Sequence, residues 1–229
     1  NLRAARAKAL ARLAGEARDL DVFIEQSLPL APGEPALNAR LESLRAERWA
    51  VAAAAMSDKA FAAFSLDLAR AAYLDPWRTG AGKRLGEPAR QYADEMLERR
   101  WKKLADCARA VEFAYPASLH MLRIELKRLR YAAQFFRDFY PGEARRAFFA
   151  AMSGLQEALG VINDAVVAQK IAQESGEGRG ADAARAAGFI AGYRGAEAAA
   201  AARDIEENWR VFSSAAPYWR VAAADPLKA

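Results

Sequence analysis

The chain has 229 residues, of which 53% are hydrophobic and 28% charged, and its formal net charge is +5. This length is enough to bury a sizeable core, as one large domain or as two smaller subdomains. The single cysteine, Cys107, excludes an intrachain disulfide, disfavours a zinc–thiolate site and fits a reducing compartment. No apolar run reaches membrane-spanning length, so we expect no membrane partner and a cytoplasmic location.

Strong helix formers dominate the sequence, and alternating β-branched runs are absent, so we predict an all-α bundle of long helices. Proline and glycine clusters place turns between the helices. Ser118 is a predicted N-cap, and Gly160 is expected to separate two helices. Loops are predicted at about 77–87 and 174–180. The predicted helices cover about 1–28, 36–73, 88–113 and 118–140, then a shorter helix ending near 158, and finally 162–174 and 182–214.

Three glycines of the last predicted helix, Gly188, Gly192 and Gly195, fall on one side at helical spacing. A glycine in a helix interior costs about 1 kcal/mol relative to alanine. We therefore expect a neighbouring helix to approach this side closely. Simple flexibility is the alternative interpretation.

The helix predicted at 118–140 has two contrasting faces when its residues are placed about 100° apart. Its apolar residues share one side, which is typical of a helix packed on a core. They are Leu122, Leu126, Leu129, Ala133 and Phe136. The opposite side carries a row of basic residues about one turn apart, which we call the cationic ladder. Its members are His120, Arg123, Lys127 and Arg130.

Like charges at this spacing repel by a few tenths of a kcal/mol per pair. Glu125 is the only acid on this helix before Asp138, so the ladder is locally unfavourable. Binding of a polyanion would offset that cost, since arginine grips phosphate oxygens with its planar fork and lysine adds a point charge. The alternatives are a solvated face or a face neutralised by internal salt bridges.

The sequence contains one histidine, His120. A lone histidine makes no metal site, because such sites normally need three or more converging ligands. No catalytic triad, glycine-rich phosphate loop or acidic metal-binding cluster is apparent. We therefore expect a protein that is not an enzyme and that carries no cofactor.

Several segments together resemble the CHAD domain (conserved histidine α-helical domain). The strongest is the pattern of the ladder helix, Leu119-His120-x-Leu122-Arg123-x-x-x-Lys127-Arg128-Leu129-Arg130-Tyr131. Four other pieces occur in the order expected for this family. They are Arg18-Asp19-Leu20-Asp21-Val22, Arg99-Arg100-Trp101-Lys102-Lys103, Leu159-Gly160-Val161-Ile162-Asn163-Asp164, and Trp209-x-x-Phe212 with Trp219.

The resemblance implies two helical subdomains related by a pseudo-two-fold, with a basic cavity between them that binds inorganic polyphosphate. We expect Asp19 and Asp164 to pair structurally with the cations, since carboxylates would repel phosphate directly. Carried over by motif, the binding residues are His120, Arg123, Lys127, Arg130 and Arg18. We expect Arg99, Arg100 and Lys103 to be additions to this set.

Two functions of different kinds follow from these observations. The first is non-catalytic binding of polyphosphate, for targeting to polyphosphate granules or as an accessory to a fused or associated triphosphatase-type domain. The second is a helical nucleic-acid-binding module, which a basic helix face also permits. No recognised DNA-binding motif or aromatic stacking platform favours the second function.

An internal repeat in the sequence gives information about the domain organisation of the chain. Residues 10–22 align without gaps on residues 155–167, which predicts two related units. We expect a single domain over 1–229, with one subdomain at about 1–113 and another at about 116–229. A cationic helix precedes the second copy of the repeat, so we expect a matching His-x-x-Arg helix before the first copy, beginning about 25 residues upstream of Asn1.

Overall fold

The computed structural model describes residues 2–74, 86–113 and 116–223. Throughout these ranges the regular elements are helices, which confirms the all-α prediction. Short 3-10 turns, Leu28–Leu30 and Arg137–Phe139, follow the first and fifth helices. In chain order the helices are α1 (Leu2–Gln26), α2 (Pro35–Ser57), α3 (Lys59–Tyr73), α4 (Ala89–Ala110), α5 (Pro116–Phe135), α6 (Glu143–Gly176), α7 (Ala181–Ser214) and α8 (Tyr218–Ala223).

The chain divides into two compact units, each made of two chain segments. The first unit comprises Asn1–Leu85 and Val167–Gly195, and the second comprises Gly86–Val166 and Ala196–Ala229. Helices α6 and α7 contribute to both units, because the unit boundaries at Val167 and Gly195 fall within them. Each of these helices has 34 residues, and a helix of that length is about 51 Å long. This division differs from the expected subdomains at 1–113 and 116–229. The pseudo-two-fold stays a prediction.

In the first unit, α1 and α2 pack with parts of α6 and α7 around one apolar cluster. Two polar contacts tie these helices at the surface of that cluster. Arg45 of α2 donates to Asp21 of α1 at 2.8 Å, and Arg194 of α7 donates to the Ser27 hydroxyl at 3.0 Å. The fully or nearly fully buried members of the cluster are Leu20, Phe23, Leu37, Leu41, Ala168, Ile171, Ala172, Ala183, Ala187 and Ile190.

The core of the second unit buries the predicted apolar stripe of α5. All five stripe residues are 8% exposed or less, which confirms that face assignment. Aromatic rings fill the adjacent space, with the Trp101 ring 5.5 Å from Phe212 and 6.4 Å from Trp219 between centroids. Residues from α4, α5, α6, α7 and α8 therefore share one continuous core.

A carboxylate on α4 anchors the last helix to this core. Glu98 accepts a hydrogen bond from the Trp219 indole N–H at 3.1 Å and two from the Arg220 guanidinium at 2.8 Å each. The Arg220 hydrogen bonds, with a smaller effect from Trp219, hold the pKa of Glu98 below its usual value, although partial burial opposes this. The contact orients α8 on α4.

Two predicted helix boundaries were wrong, for local reasons. The predicted helix at 36–73 is broken at Asp58, where the backbone is extended (φ −70°, ψ 147°) and the carboxylate accepts a hydrogen bond from the Ala60 N–H at 3.3 Å. This is an N-cap, which begins a new helix. Helix α5 begins at Pro116, so Ser118 is not its N-cap. The Ser118 hydroxyl instead donates to the Glu112 carbonyl at 2.6 Å.

The predicted break at Gly160 was also wrong, because α6 continues through it to Gly176. One glycine costs a helix only about 1 kcal/mol. Buried Leu159 and Ile162 on either side contribute packing that exceeds this cost. Most of the loop predicted at 77–87 lies outside the described residues.

The glycine row of α7 is only partly explained by a close neighbour. A Cβ added at Gly188 or Gly192 would meet nothing within 4 Å, whereas one at Gly195 would meet the flexible Gln169 side chain at 2.7 Å. Among the glycines of α6 and α7, the tightest position is instead Gly176, where an added Cβ would lie 2.6 Å from the Ala187 Cβ. The expected backbone contact therefore occurs outside the predicted row.

This geometry predicts opposite effects for two glycine-to-alanine substitutions. Gly176→Ala should lower the free energy of unfolding, because the new methyl group would overlap Ala187. Gly188→Ala should raise it by about 1 kcal/mol, because alanine is the better helix former and the space is open. Chemical denaturation of the two variants beside the wild type measures both effects. A stabilised Gly176→Ala would contradict the close approach.

The Glu98 anchor predicts a pH-dependent effect on stability. Glu98→Gln should lower the free energy of unfolding by about 1 kcal/mol at neutral pH, since it removes an ion pair of intermediate exposure. The folded-state pKa is lowered, so this contribution is present above the unfolded-state pKa and is lost as the pH falls through the folded-state value. The free energies of unfolding of the wild type and the variant should therefore become equal in acid.

Thermal unfolding at about pH 7 and about pH 3 tests this convergence. Glu207→Gln is the matched control, because Glu207 also pairs with an arginine, Arg210, but both side chains are more than half exposed. The control should change stability less. A Glu98→Gln effect that persists unchanged in acid would show that it arises from packing rather than from charge.

Candidate functional site

The cationic ladder lies on α5, opposite the buried leucine stripe. Because the stripe is fixed in the core, the ladder must point away from it. Arg123 and Lys127 are half-buried, and His120 and Arg130 are exposed. Ten residues separate the first member from the last, so the ladder extends about 15 Å along the helix. The structure therefore presents the four side chains as one row, as predicted.

The ladder is not neutralised by acids within the described part of the chain. None of its four members takes part in an ion pair or a hydrogen bond there. Arginines elsewhere behave differently, since many pair with an acid three or four residues away on the same helix. Examples are Arg12–Glu16, Arg109–Asp106, Arg146–Glu143, Arg185–Asp182 and Arg210–Glu207. The interpretation of the ladder as an internally salt-bridged face therefore fails for the described residues.

The one acid of α5 is turned away from the ladder. Glu125 is 8% exposed and forms an ion pair with Arg128 through Oε1. Burial raises the pKa of the Cys107 thiol on α4, and the negative charge of Glu125 raises it further. Glu125 thus faces α4, about 160° around the helix from Arg123. Its charge compensates Arg128 and leaves the ladder positive.

A pocket of about 130 Å³ opens beside the first two ladder residues. His120 and Arg123 line it together with Asn163 from α6. The remaining lining residues are all aliphatic, namely Leu119, Leu159, Ile162 and Val166. The pocket therefore combines a basic edge with an apolar interior, and it lies wholly in the second unit.

The basic residues of α4 form a separate group. Arg100 is half-buried, whereas Arg99 and Lys103 are exposed, and none of the three pairs with an acid among the described residues. No described contact joins them to the ladder or to its pocket. Because α4 packs on the Glu125 side of α5, this group lies on the other flank of that helix from Arg123.

The remaining predicted site residue, Arg18, belongs to the first unit. It is exposed on α1, next to buried Ala17 and close to buried Leu20. The other seven predicted residues belong to the second unit. The eight predicted residues are thus divided between the two units, and their participation in one binding site stays a prediction.

The expected pairing of Asp164 with a cation is not found. Asp164 is exposed, and it accepts a hydrogen bond from the Asn163 side-chain amide at 3.2 Å. No cation lies within ion-pair distance of it among the described residues. The expectation was wrong because Asp164 lies on the outward side of α6, between Asn163 and buried Ala165. Asp19 is exposed on α1, and its expected pairing with a cation stays a prediction.

The sequence did not predict that side chains of α6 form one wall of the pocket. Asn163 was part of a quoted motif but was not assigned to the site, and Val166 was not considered at all. The signal that was available is the repeat containing Asn163 and Asp164, which marks this stretch of α6 without indicating which side chains face α5.

Within the described ranges, no group of three or more histidine, cysteine, aspartate or glutamate side chains is placed to hold a metal ion. In the same ranges, no helix has both the length and the apolar character needed to cross a membrane.

Comparison with known proteins adds one finding. A family model described as the CHAD domain matches residues 3–173. The match includes the ladder, the pocket, the basic group of α4 and Arg18. No curated protein matches the chain.

Proposed function

The chain belongs to the CHAD domain family, and on this premise we propose that it binds inorganic polyphosphate without chemically changing it. The cationic ladder of α5 is the central element of the proposed site. The observation that carries the proposal is that four basic side chains in one row have no acid partner among the described residues, while many other arginines do.

An unneutralised row of cations has an energetic cost that a ligand would remove. Neighbours three or four residues apart repel by a few tenths of a kcal/mol per pair. A linear polyanion lying along the row would replace each repulsion with attraction. The row is about 15 Å long, so it can contact several phosphate groups of one chain at the same time. A single phosphate ion would engage only part of it.

The ladder side chains are suited to different parts of this task. Half-burial of Arg123 and Lys127 restricts their aliphatic stems, which lowers the entropy lost when their charged ends bind. Arg123 and Arg130 offer planar forks for phosphate oxygens, and Lys127 offers a compact charge. His120, at the end of the row, can donate a hydrogen bond to phosphate.

The remaining predicted residues extend the proposal beyond the ladder. Arg99, Arg100 and Lys103 would add a second basic surface in the same unit, and Arg18 would contribute from the first unit. None of these four residues pairs with an acid in the part of the chain that the structure describes, which supports this assignment, and their participation is part of the proposal. Targeting to polyphosphate granules, or assistance to a fused or associated triphosphatase-type domain, is the proposed biological use of such binding.

The first prediction from this function concerns the ladder itself. The triple variant Arg123→Ala, Lys127→Ala and Arg130→Ala should bind long-chain polyphosphate about a hundredfold more weakly, because three charged contacts are lost at about 1 kcal/mol each. The helical fold should persist, since these residues face away from the leucine stripe. Isothermal titration calorimetry and circular dichroism measure the two properties.

A matched control variant distinguishes the effect of losing the ladder from the effect of lowering the net charge. The variant Arg146→Ala, Arg185→Ala and Arg210→Ala also removes three positive charges, but from arginines that are paired with acids. Its affinity should stay within about threefold of wild type, because none of these arginines lies on α5. The carboxylates left without a partner then act on the ligand only through screened, long-range repulsion. Equal losses in both variants would point to non-specific attraction by net charge.

The second prediction concerns salt. Affinity should fall linearly on a double-logarithmic plot against salt concentration, because binding releases counterions from the polyanion. By analogy with single-stranded nucleic acids, the ladder triple variant should show a slope smaller by about two. Competition by single-stranded or duplex DNA at matched phosphate concentration belongs in the same experiment. Preferential binding of DNA would replace polyphosphate with nucleic acid as the ligand.

A further inference from the structure

The pocket beside His120 and Arg123 has a composition that a chain of phosphates does not explain. Its floor consists of Leu119, Leu159 and Ile162, each no more than 3% exposed. Val166, which is 50% exposed, forms part of the rim. Inorganic polyphosphate has no apolar part that could cover these side chains. The ladder is thus suited to phosphate groups, whereas the pocket next to it is suited to a ligand that has an apolar part.

The size of the pocket indicates what could fill it. An engineered cavity of about 150 Å³ lined by aliphatic and aromatic side chains stays dry and binds benzene. The volume here is about 130 Å³, and four of the seven lining residues are aliphatic. An apolar group the size of a benzene ring therefore matches both the volume and the lining.

The basic side chains at the rim of the pocket indicate which charge a ligand with such an apolar group should carry. His120 and Arg123 have no acid partner among the described residues, so an anion at the mouth of the pocket would meet two basic side chains that are not already neutralised. A neutral apolar molecule would leave them unused. A ligand with an apolar group and one anionic group would satisfy both parts of the pocket.

We propose that this pocket binds small organic anions in which a phosphate or carboxylate group is joined to an aromatic or branched aliphatic group of about benzene size. The apolar group occupies the space above Leu119, Leu159 and Ile162, and the anion contacts Arg123 and His120. The inference rests on the proposed function only in using the first two ladder residues, and it assigns them a second class of ligand.

Phenyl phosphate and methyl phosphate are the probes that test the pocket. Both are phosphate monoesters, and they differ in the apolar group. Phenyl phosphate should bind about tenfold more tightly, because its ring is removed from water in the pocket. His120 is the only histidine, so its ring resonances in NMR spectra report binding at this position without overlap. Equal affinities for the two probes would overturn the proposal.

Two substitutions on α6 test whether the preference for phenyl phosphate arises in the pocket. Val166→Phe should fill the mouth of the pocket and abolish the preference for phenyl phosphate over methyl phosphate. Val161→Phe is the matched control, because Val161 is similarly exposed at 44% on the same helix but does not line the pocket. It should keep the preference. A preference that survives Val166→Phe would show that the ring binds elsewhere, which also overturns the proposal.

Binding of long-chain polyphosphate to the same proteins separates this inference from the proposed function. Val166→Phe should leave polyphosphate binding measurable, since all four ladder side chains remain and two of them, Lys127 and Arg130, do not line the pocket. A phenyl preference without polyphosphate binding would support the pocket and refute the proposed function. Polyphosphate binding with no phenyl preference would refute the pocket and leave the proposed function standing.

Discussion

Burial of the leucine stripe of α5 is the constraint on which the candidate site depends. Leu122, Leu126 and Leu129 are at most 1% exposed, and removing a buried leucine side chain typically costs about 2–5 kcal/mol. Packing on this scale determines the rotation of the helix about its axis. Once that rotation is set, the ladder must face away from the core, whatever repulsion arises among its charges. Core packing thus maintains a charge arrangement that would be unfavourable by itself.

The distribution of acids is the second element of this arrangement. On other helices, acids three or four residues from an arginine neutralise it, as for Arg146 and Arg210. On α5 the one acid, Glu125, faces α4 and pairs with Arg128. On α4, Glu98 is occupied by Arg220 and Trp219 of the last helix. The carboxylates of Glu125 and Glu98 are thus engaged in structural contacts, and the described residues leave the ladder without an acid partner.

The pocket at the end of the ladder links the core to the charged surface. Its floor is formed by side chains of the core itself, where α5 and α6 meet, and its rim is formed by the ladder. A site of this kind can discriminate between ligands by two independent properties, charge at the rim and apolar volume below it. A pure phosphate chain uses the first property alone. The proposed binding of polyphosphate would account for the basic row, but it does not by itself account for the apolar floor.

The sequence by itself determined the helical class, the two faces of α5 and the placement of the basic row. These features are local, because helix propensity and the period of about 100° per residue act among neighbours in the chain. Only the tertiary structure decided that α6 continues through Gly160, that Asp164 pairs with Asn163 rather than with a cation, and that Asn163 joins Arg123 at one pocket. These outcomes depend on which surfaces of distant segments pack together. That choice is set by the summed burial of many side chains, which no local pattern specifies.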